Sequence, residues 1–112
     1  MTWNDLLALL RAEAARIRQV APNAIWYLFG STLRAFECAA DIDVLVLCDT
    51  DETVAVIRHE LRKACERLPL HLFLLTRGEE AELGFIVSQG CVQVYPLSSA
   101  SLISPVRPSR AD

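Results

Sequence analysis

Residues 25–49 read IWYLFGSTLRAFECAADIDVLVLCD, and this stretch decides how the chain folds. It begins with a short apolar run at 25–29 and ends with a second run at 42–48. Both runs are rich in aromatic and branched residues, which is typical of strands buried on both faces. Gly30 closes the first run, because glycine permits a backbone turn that a side chain would block. The stretch therefore predicts a strand, a turn, a short helix and a second strand.

Polar residues lie at the turn and at the opening of the second run. Residues 32–36 are long enough for one or two helical turns, whose free N–H groups would face the strand end and can hold a phosphate. Side chains alternate along a strand, so Asp41 and Asp43 project to one side about 6.5 to 7 Å apart. Two carboxylates this close favour a cation between them, and oxygen ligands favour Mg²⁺ or Mn²⁺. The sequence thus predicts a phosphate and metal site beside Gly30 and Ser31.

This arrangement resembles the nucleotidyltransferase superfamily named after DNA polymerase β. The signature of that superfamily is an apolar strand, Gly-Ser, a short helix, and Asp-x-Asp opening the next strand. The matching residues are LFGS at 28–31 and DIDVLV at 41–46. By size the chain is similar to the minimal nucleotidyltransferases of bacteria and archaea, with the resemblance extending from about Trp3 to Pro96. It implies an α/β (α+β) fold in which helices flank a mixed sheet and the first strand is central.

The resemblance also implies an activity, the transfer of a nucleotidyl group from a nucleoside triphosphate. The phosphates would lie against the Gly-Ser turn, with an arginine one helical turn on, and Mg²⁺ or Mn²⁺ would be held by the two aspartates. The residues that this assigns to nucleotide and metal binding are Gly30, Ser31, Arg34, Asp41 and Asp43.

Catalytically active relatives usually carry a third carboxylate on the third strand, where this chain has His71. Imidazole is a poorer ligand for Mg²⁺ than a carboxylate, although it tolerates Mn²⁺. His71 is either a base that accepts the proton of the attacking hydroxyl or a structural residue in a site that has lost its chemistry. The sequence gives the two interpretations similar weight.

Minimal members of the family often act as antitoxins paired with a helical HEPN-type toxin, which some of them inactivate by adding adenylyl groups to a tyrosine. The leading interpretation is therefore an ATP-dependent transferase that modifies a protein partner. The main alternative is a binding module that keeps the fold, and binds nucleotide or a partner, without turnover. A third interpretation is the catalytic subunit of a small-molecule transferase, in which a partner subunit or a homodimer supplies the remaining substrate-binding structure.

The composition predicts one compact domain. Hydrophobic residues make up 53% of the 112 positions and charged residues 22%, which is typical of a chain with a real core. Charges interrupt the apolar runs well short of a membrane span, and the first residues lack a secretory signature. A net charge of −3 does not indicate the basic surface that nonspecific nucleic-acid binding usually requires. We expect a cytoplasmic protein with a nucleotidyltransferase domain at 1–97 and a disordered tail at 98–112.

Helix and strand signals frame the central stretch. The first helix is predicted at 3–20, with Thr2 and Asp5 as a capping box. Asp49 with Glu52 predicts the start of a second helix, and Thr76 with Glu79 the start of a third that runs to about Val87. Residues 70–75 are predicted as the third strand and 91–95 as an edge strand or an extended arm. The stripes predicted to be buried are Leu6, Leu10, Ala14 and Ile17 in the first helix and Val54, Ile57, Leu61, Cys65 and Leu68 in the second.

Two kinds of residue invite a functional interpretation that the sequence does not favour. Trp26 is a conceivable stacking platform for a base, but an aromatic residue within an apolar strand is usually part of the core. The four cysteines lie far apart without zinc or redox spacing, so we expect buried or semi-buried small hydrophobic residues at Cys38, Cys48, Cys65 and Cys91.

Overall fold

The computed structural model describes residues 1–38 and 40–97, which form a mixed α+β fold. Its strands are β1 (Ile25–Leu28), β2 (Ile42–Cys48), β3 (Leu70–Thr76) and β4 (Val92–Tyr95). The α-helices of the described residues are α1 (Trp3–Ile17), α2 (Ser31–Arg34), α3 (Asp51–Glu60), α4 (Arg62–Arg67), α5 (Arg77–Leu83) and α6 (Phe85–Ser88), and a 3₁₀ turn follows α2 at Phe36–Cys38. The tail predicted at 98–112 lies outside the described residues.

The sheet has the strand order β3-β2-β1-β4 and is mixed. β1 pairs antiparallel with both β2 and β4, whereas β2 and β3 are parallel and are joined by the crossover through α3 and α4. The prediction of a mixed sheet flanked by helices, with β1 inside it and β4 at its edge, is confirmed. None of the helices described is long and apolar enough to cross a membrane.

Helix α1 forms as its sequence predicts. The Thr2 hydroxyl accepts a hydrogen bond from the Asp5 N–H, and the Asp5 carboxylate accepts one from the Thr2 N–H, both at 3.0 Å. The buried stripe is the predicted one. The helix ends at Ile17 and not at Val20, because the Ile17 carbonyl accepts hydrogen bonds from two later N–H groups and the chain turns there.

One face of the sheet packs against α1, α3 and α4, and we call it the covered face. Trp26 is only 1% exposed on this face, so the prediction that it belongs to the core is confirmed. The other strand residues buried in the same cluster are Leu28, Ile42, Val44, Val46, Cys48 and Val94. Burial of about 200 Å² by a tryptophan stabilises a fold by roughly 5 kcal/mol, before entropy is counted.

The start of α3 differs from the prediction. Thr50, not Asp49, caps the helix, because its hydroxyl accepts the Thr53 N–H at 3.1 Å. The Asp49 carboxylate instead accepts hydrogen bonds from the Asn23 amide at 3.0 Å and from the Arg77 guanidinium at 2.7 Å. Asp49 thus ties the end of β2 to the chain before β1 and to the start of α5.

Two of the predicted helices are broken. The second one is interrupted at Leu61, and the changed register afterwards buries Ala64 and leaves Cys65 exposed, contrary to the prediction. The third has the predicted Thr76 and Glu79 capping box but ends at Leu83, because Gly84 adopts a left-handed conformation. Cys48 is buried and Cys91 half-buried, as predicted.

The opposite face of the sheet, which we call the open face, is covered only in part. Phe29, Leu45 and Leu47 are buried there. The Phe29 ring meets the rings of Phe73 and Phe85 edge to face, at centroid distances of 5.2 and 5.0 Å. This aromatic contact packs the start of α6 onto the sheet, and the polar residues of the open face lie beside it.

Candidate functional site

The turn after β1 lies directly against Asp43, the aspartate of β2. Gly30 has φ 69° and ψ −146°, a conformation that is essentially reserved for glycine. A β-carbon at this position would overlap the Oδ2 atom of Asp43. The preceding Phe29 N–H donates to the Asp43 carbonyl at 3.2 Å, which holds the two segments together. Glycine is therefore required both by the backbone angle and by the approach of the carboxylate.

Thr32 is a buried polar residue that positions Asp43, a role that the sequence does not indicate. Its side chain is 0% exposed, and its hydroxyl accepts the Asp43 N–H at 2.8 Å. The same hydroxyl lies 3.5 Å from the Asp41 carbonyl, a long hydrogen bond. Thr32 thereby fixes α2 to the opening of β2. The one signal in the sequence is a hydroxyl residue directly after Gly-Ser, a position that we read only as part of the short helix.

Asp43 and His71 are register partners on the parallel strands β2 and β3, and both point to the open face. The Nδ1 atom of His71 lies 3.1 Å from Oδ1 of Asp43. An ionised carboxylate can only accept, so the Nδ1–H donates this bond. The Asp43 side chain is 17% exposed and that of His71 57%. The imidazole also contacts the Phe73 ring edge to face at 4.7 Å, which restricts its orientation.

Two further predicted site residues, Asp41 and Ser31, lie at the start of β2 and of α2. Asp41 is exposed in the bend that precedes β2, where the Ile42 N–H donates to the Pro69 carbonyl at 2.8 Å and sets the register of β2 against β3. Ser31 is the first residue of α2 and is partly exposed. α2 begins one residue earlier than predicted and is only one turn long.

Arg34 is the last residue of α2 and is exposed. It lines a groove of about 530 Å³ together with Trp3 and Phe36, whose rings meet edge to face at 5.8 Å. Among the described residues, no hydrogen bond or ion pair joins Arg34 to Asp41, Asp43 or His71. The structure thus brings Gly30, Asp43 and His71 into contact and leaves Arg34 outside that contact.

In residues 1–38 and 40–97, no group of three or more His, Cys, Asp and Glu side chains is placed to hold a metal ion. Carboxylate oxygens such as those of Asp41 and Asp43 are ligands that a divalent ion of the Mg²⁺ type prefers. Such ions commonly take one or two carboxylates from the protein and complete their shell with phosphate oxygens and water. The donor set therefore suits a metal that binds together with a phosphate-bearing ligand.

The far ends of the same strands carry a structural polar network. The hydrogen bond from Arg77, together with that from Asn23, lowers the pKa of Asp49 below its ordinary value. Burial raises the pKa of the neighbouring Cys48 thiol to about 11, which makes it an inert core residue. Asp49 follows the last residue of β2, whereas Asp43 is its second, so this network is separate from the site.

Another groove among the described residues lies between α1, α3 and α4. It has a volume of about 610 Å³ and is lined by charges of both signs. Arg16 pairs there with Glu13 at 2.8 Å and with Glu60 at 2.9 Å. These exposed pairs contribute little, about 0 to 1 kcal/mol each. The groove is a solvated face that carries charges of both signs.

The chain matches no protein-family model, no curated protein and no solved structure. What can be said of its function therefore depends on its own residues and their geometry. The central geometric fact is that a glycine turn, a strand carboxylate and a histidine from the neighbouring strand meet at one place on the open face.

Proposed function

We propose that this chain is a metal-dependent nucleotidyltransferase with a polymerase β-like fold. It transfers a nucleoside monophosphate from a triphosphate, ATP first among them, to a hydroxyl acceptor. The observation that carries the proposal is the contact between the Gly30 turn and Asp43, because it puts a bare backbone turn beside a carboxylate on the open face. This is the place where the resemblance requires phosphate and metal to meet.

Each residue has a defined task in this proposal. Gly30 and Ser31 bind the phosphates through backbone N–H groups and the serine hydroxyl. Asp41 and Asp43 hold the divalent ion, and Thr32 fixes the carboxylate of Asp43 by bonding its backbone. When bound, the ion neutralises the charge that develops as pyrophosphate leaves the α-phosphorus. Arg34 is not part of the proposed contact set.

The acceptor favoured by the resemblance is a tyrosine of a helical HEPN-type partner protein, which makes the chain the antitoxin of such a pair. The open face agrees with a large acceptor, since His71 is 57% exposed beside Asp43. A protein acceptor reaches an exposed site without needing a deep substrate pocket.

A second candidate function is nucleotide or partner binding without turnover. It is favoured by one observation, that the register partner of Asp43 is a histidine where active relatives carry a third carboxylate. In this case the Gly-Ser turn still binds the triphosphate, but no pyrophosphate is released.

Calorimetric titration with ATP and other triphosphates, with Mg²⁺ or Mn²⁺, tests the proposal. We expect metal-dependent binding that is abolished in Asp41→Asn/Asp43→Asn. The matched control, Asp51→Asn/Glu66→Gln, removes the same charge from exposed positions on α3 and α4 and should bind normally. No binding under any condition would contradict the enzyme proposal for the isolated chain. Pyrophosphate release with a candidate acceptor then separates turnover from binding alone.

A further inference from the structure

We propose that His71 is a metal ligand together with Asp43, and that this pair makes the site prefer Mn²⁺ to Mg²⁺. The inference rests on the proposed function for the location of the metal, and it adds which ion the site selects and through which residue. It assigns His71 a role other than that of a base or of a structural remnant.

The distance between the two donor atoms fits adjacent positions around an octahedral ion. Oδ1 of Asp43 and Nδ1 of His71 lie 3.1 Å apart. Two ligand atoms with metal bonds of about 2.1 Å that meet at right angles are separated by about 3.0 Å. The observed separation therefore suits one ion without rearrangement of the strands, once the Nδ1 proton is displaced and the two side chains turn so that their lone pairs point at the ion and not along the hydrogen bond.

Both donors are held by regular structure. They are register partners on neighbouring strands, and Thr32 and Gly30 restrict Asp43 from one side while Phe73 restricts His71 from the other. A site built on strands keeps its ligands in place better than one built on loops. The exposure of His71 leaves room for water and phosphate oxygens to complete the shell.

The chemistry of the pair disfavours Mg²⁺. Mg²⁺ selects oxygen ligands and gives up its water reluctantly, whereas a nitrogen donor suits first-row transition ions. Mn²⁺ accepts the same octahedral geometry and also tolerates imidazole. A carboxylate at position 71 would suit Mg²⁺, and the histidine found there changes the preference.

The competing explanation is that His71 only donates a hydrogen bond to the Asp43 carboxylate and thereby blocks its access to a metal ion. The two explanations predict opposite effects of removing the imidazole. If His71 is a ligand, its loss weakens metal binding. If it only blocks the carboxylate, its loss leaves metal binding unchanged or makes it tighter.

The experiment titrates Mn²⁺ into the untagged full chain and measures free Mn²⁺ by electron paramagnetic resonance, with Mg²⁺ as competitor, with and without a non-hydrolysable ATP analogue. We expect Mn²⁺ to bind at least about tenfold tighter than Mg²⁺, and His71→Gln to weaken Mn²⁺ binding by at least about tenfold. His71→Asp should shift the preference toward Mg²⁺. His59→Gln is the matched control, because His59 is the other of the two histidines in the sequence. This variant should behave as wild type. Thermal midpoints of all variants check that they fold.

Pulsed electron paramagnetic resonance of bound Mn²⁺ supplies a direct signature. We expect coupling to a histidine nitrogen in the wild type and in His59→Gln, and its absence in His71→Gln. No Mn²⁺ binding, equal affinity for the two ions, missing nitrogen coupling, or tighter binding in His71→Gln would each overturn the inference. If ATP still binds through Asp41 and Asp43 in those cases, the proposed function stands. Nitrogen-coupled Mn²⁺ without ATP binding would support the inference and contradict the proposed function.

Discussion

The two faces of the sheet differ although they share the same strands. On the covered face, β2 presents Val44, Val46 and Cys48, each 0% exposed beneath α1, α3 and α4. On the open face, β2 presents Asp43, Leu45 and Leu47, of which only the two leucines are buried. Strand alternation makes this division possible, because each residue of β2 points to the face opposite its neighbour. Because the covered face supplies most of the stability, the open face can carry accessible polar residues.

The largest effect is expected from damage to the covered face. Trp26→Ala leaves a cavity in the core and should lower the free energy of unfolding by about 3 to 5 kcal/mol, measured by urea denaturation. Trp3→Ala, at a tryptophan that is 37% exposed, should cost clearly less. Similar losses in the two variants would mean that the covered face is not the main source of stability.

The next effect concerns the turn on the open face. Gly30→Ala places a β-carbon against the Asp43 carboxylate in a backbone conformation reserved for glycine, so we expect a loss of about 1 to 3 kcal/mol. ATP binding should be lost as well, because the turn and the carboxylate must separate. In Gly78→Ala, on α5, the β-carbon meets only ordinary contacts, and stability should stay equal or rise by up to about 1 kcal/mol. A Gly30→Ala protein with normal stability and ATP binding would contradict the close approach.

An effect of equal or smaller size is expected at Thr32, the buried residue that positions Asp43. Thr32→Val keeps the shape but removes the buried hydroxyl that accepts the Asp43 N–H, at a cost of about 1 to 3 kcal/mol. Thr32→Ser keeps the hydroxyl and should retain metal and ATP affinity better than Thr32→Val. If calorimetry found equal affinities in both variants, Thr32 would have no role in positioning Asp43.

The smallest effect is expected at the far end of the strands and depends on pH. Hydrogen bonding to Arg77 lowers the pKa of Asp49 from 3.8. A lowered pKa stabilises the folded state above pH 3.8, and this contribution is lost as the pH falls through the folded value. Asp49→Asn should therefore be slightly less stable than wild type near pH 7, and the difference in thermal midpoint should shrink below pH 4. A difference that grows on acidification would contradict this assignment, and ATP binding should not change.

The sequence predicted those parts of the fold that depend on neighbouring residues. The capping boxes at Thr2 and Thr76 and the buried stripe of α1 follow from spacing within one or two turns. Asp49 was misjudged because Arg77, 28 residues away, takes the carboxylate that a local pattern assigns to a helix cap. The break at Leu61 was missed because no glycine or proline marks it in the sequence.

One contact of the candidate site joins two elements that the sequence predicts from neighbouring residues. The sequence predicts a turn at Gly30 and a strand that carries Asp43, and the structure brings the turn and the carboxylate into contact. The direct bond between Asp43 and His71 depends on the parallel register of β2 and β3, which local patterns do not determine. The role of Thr32 depends on a hydrogen bond from the Asp43 N–H across the turn.

The parallel pairing of β2 and β3 determines where this fold can accept additional residues. Asp43 and His71 are both the second residue of their strands, so the site lies at the amino ends of the pair. An insertion after Asp49 disturbs local hydrogen bonds about 20 Å along β2 from Asp43 and leaves the site in place. One residue added after Pro69 would slip β3 by one position and turn His71 toward the helices of the covered face. The length of the loops can thus vary at the carboxyl ends of β2 and β3 but is constrained at their amino ends.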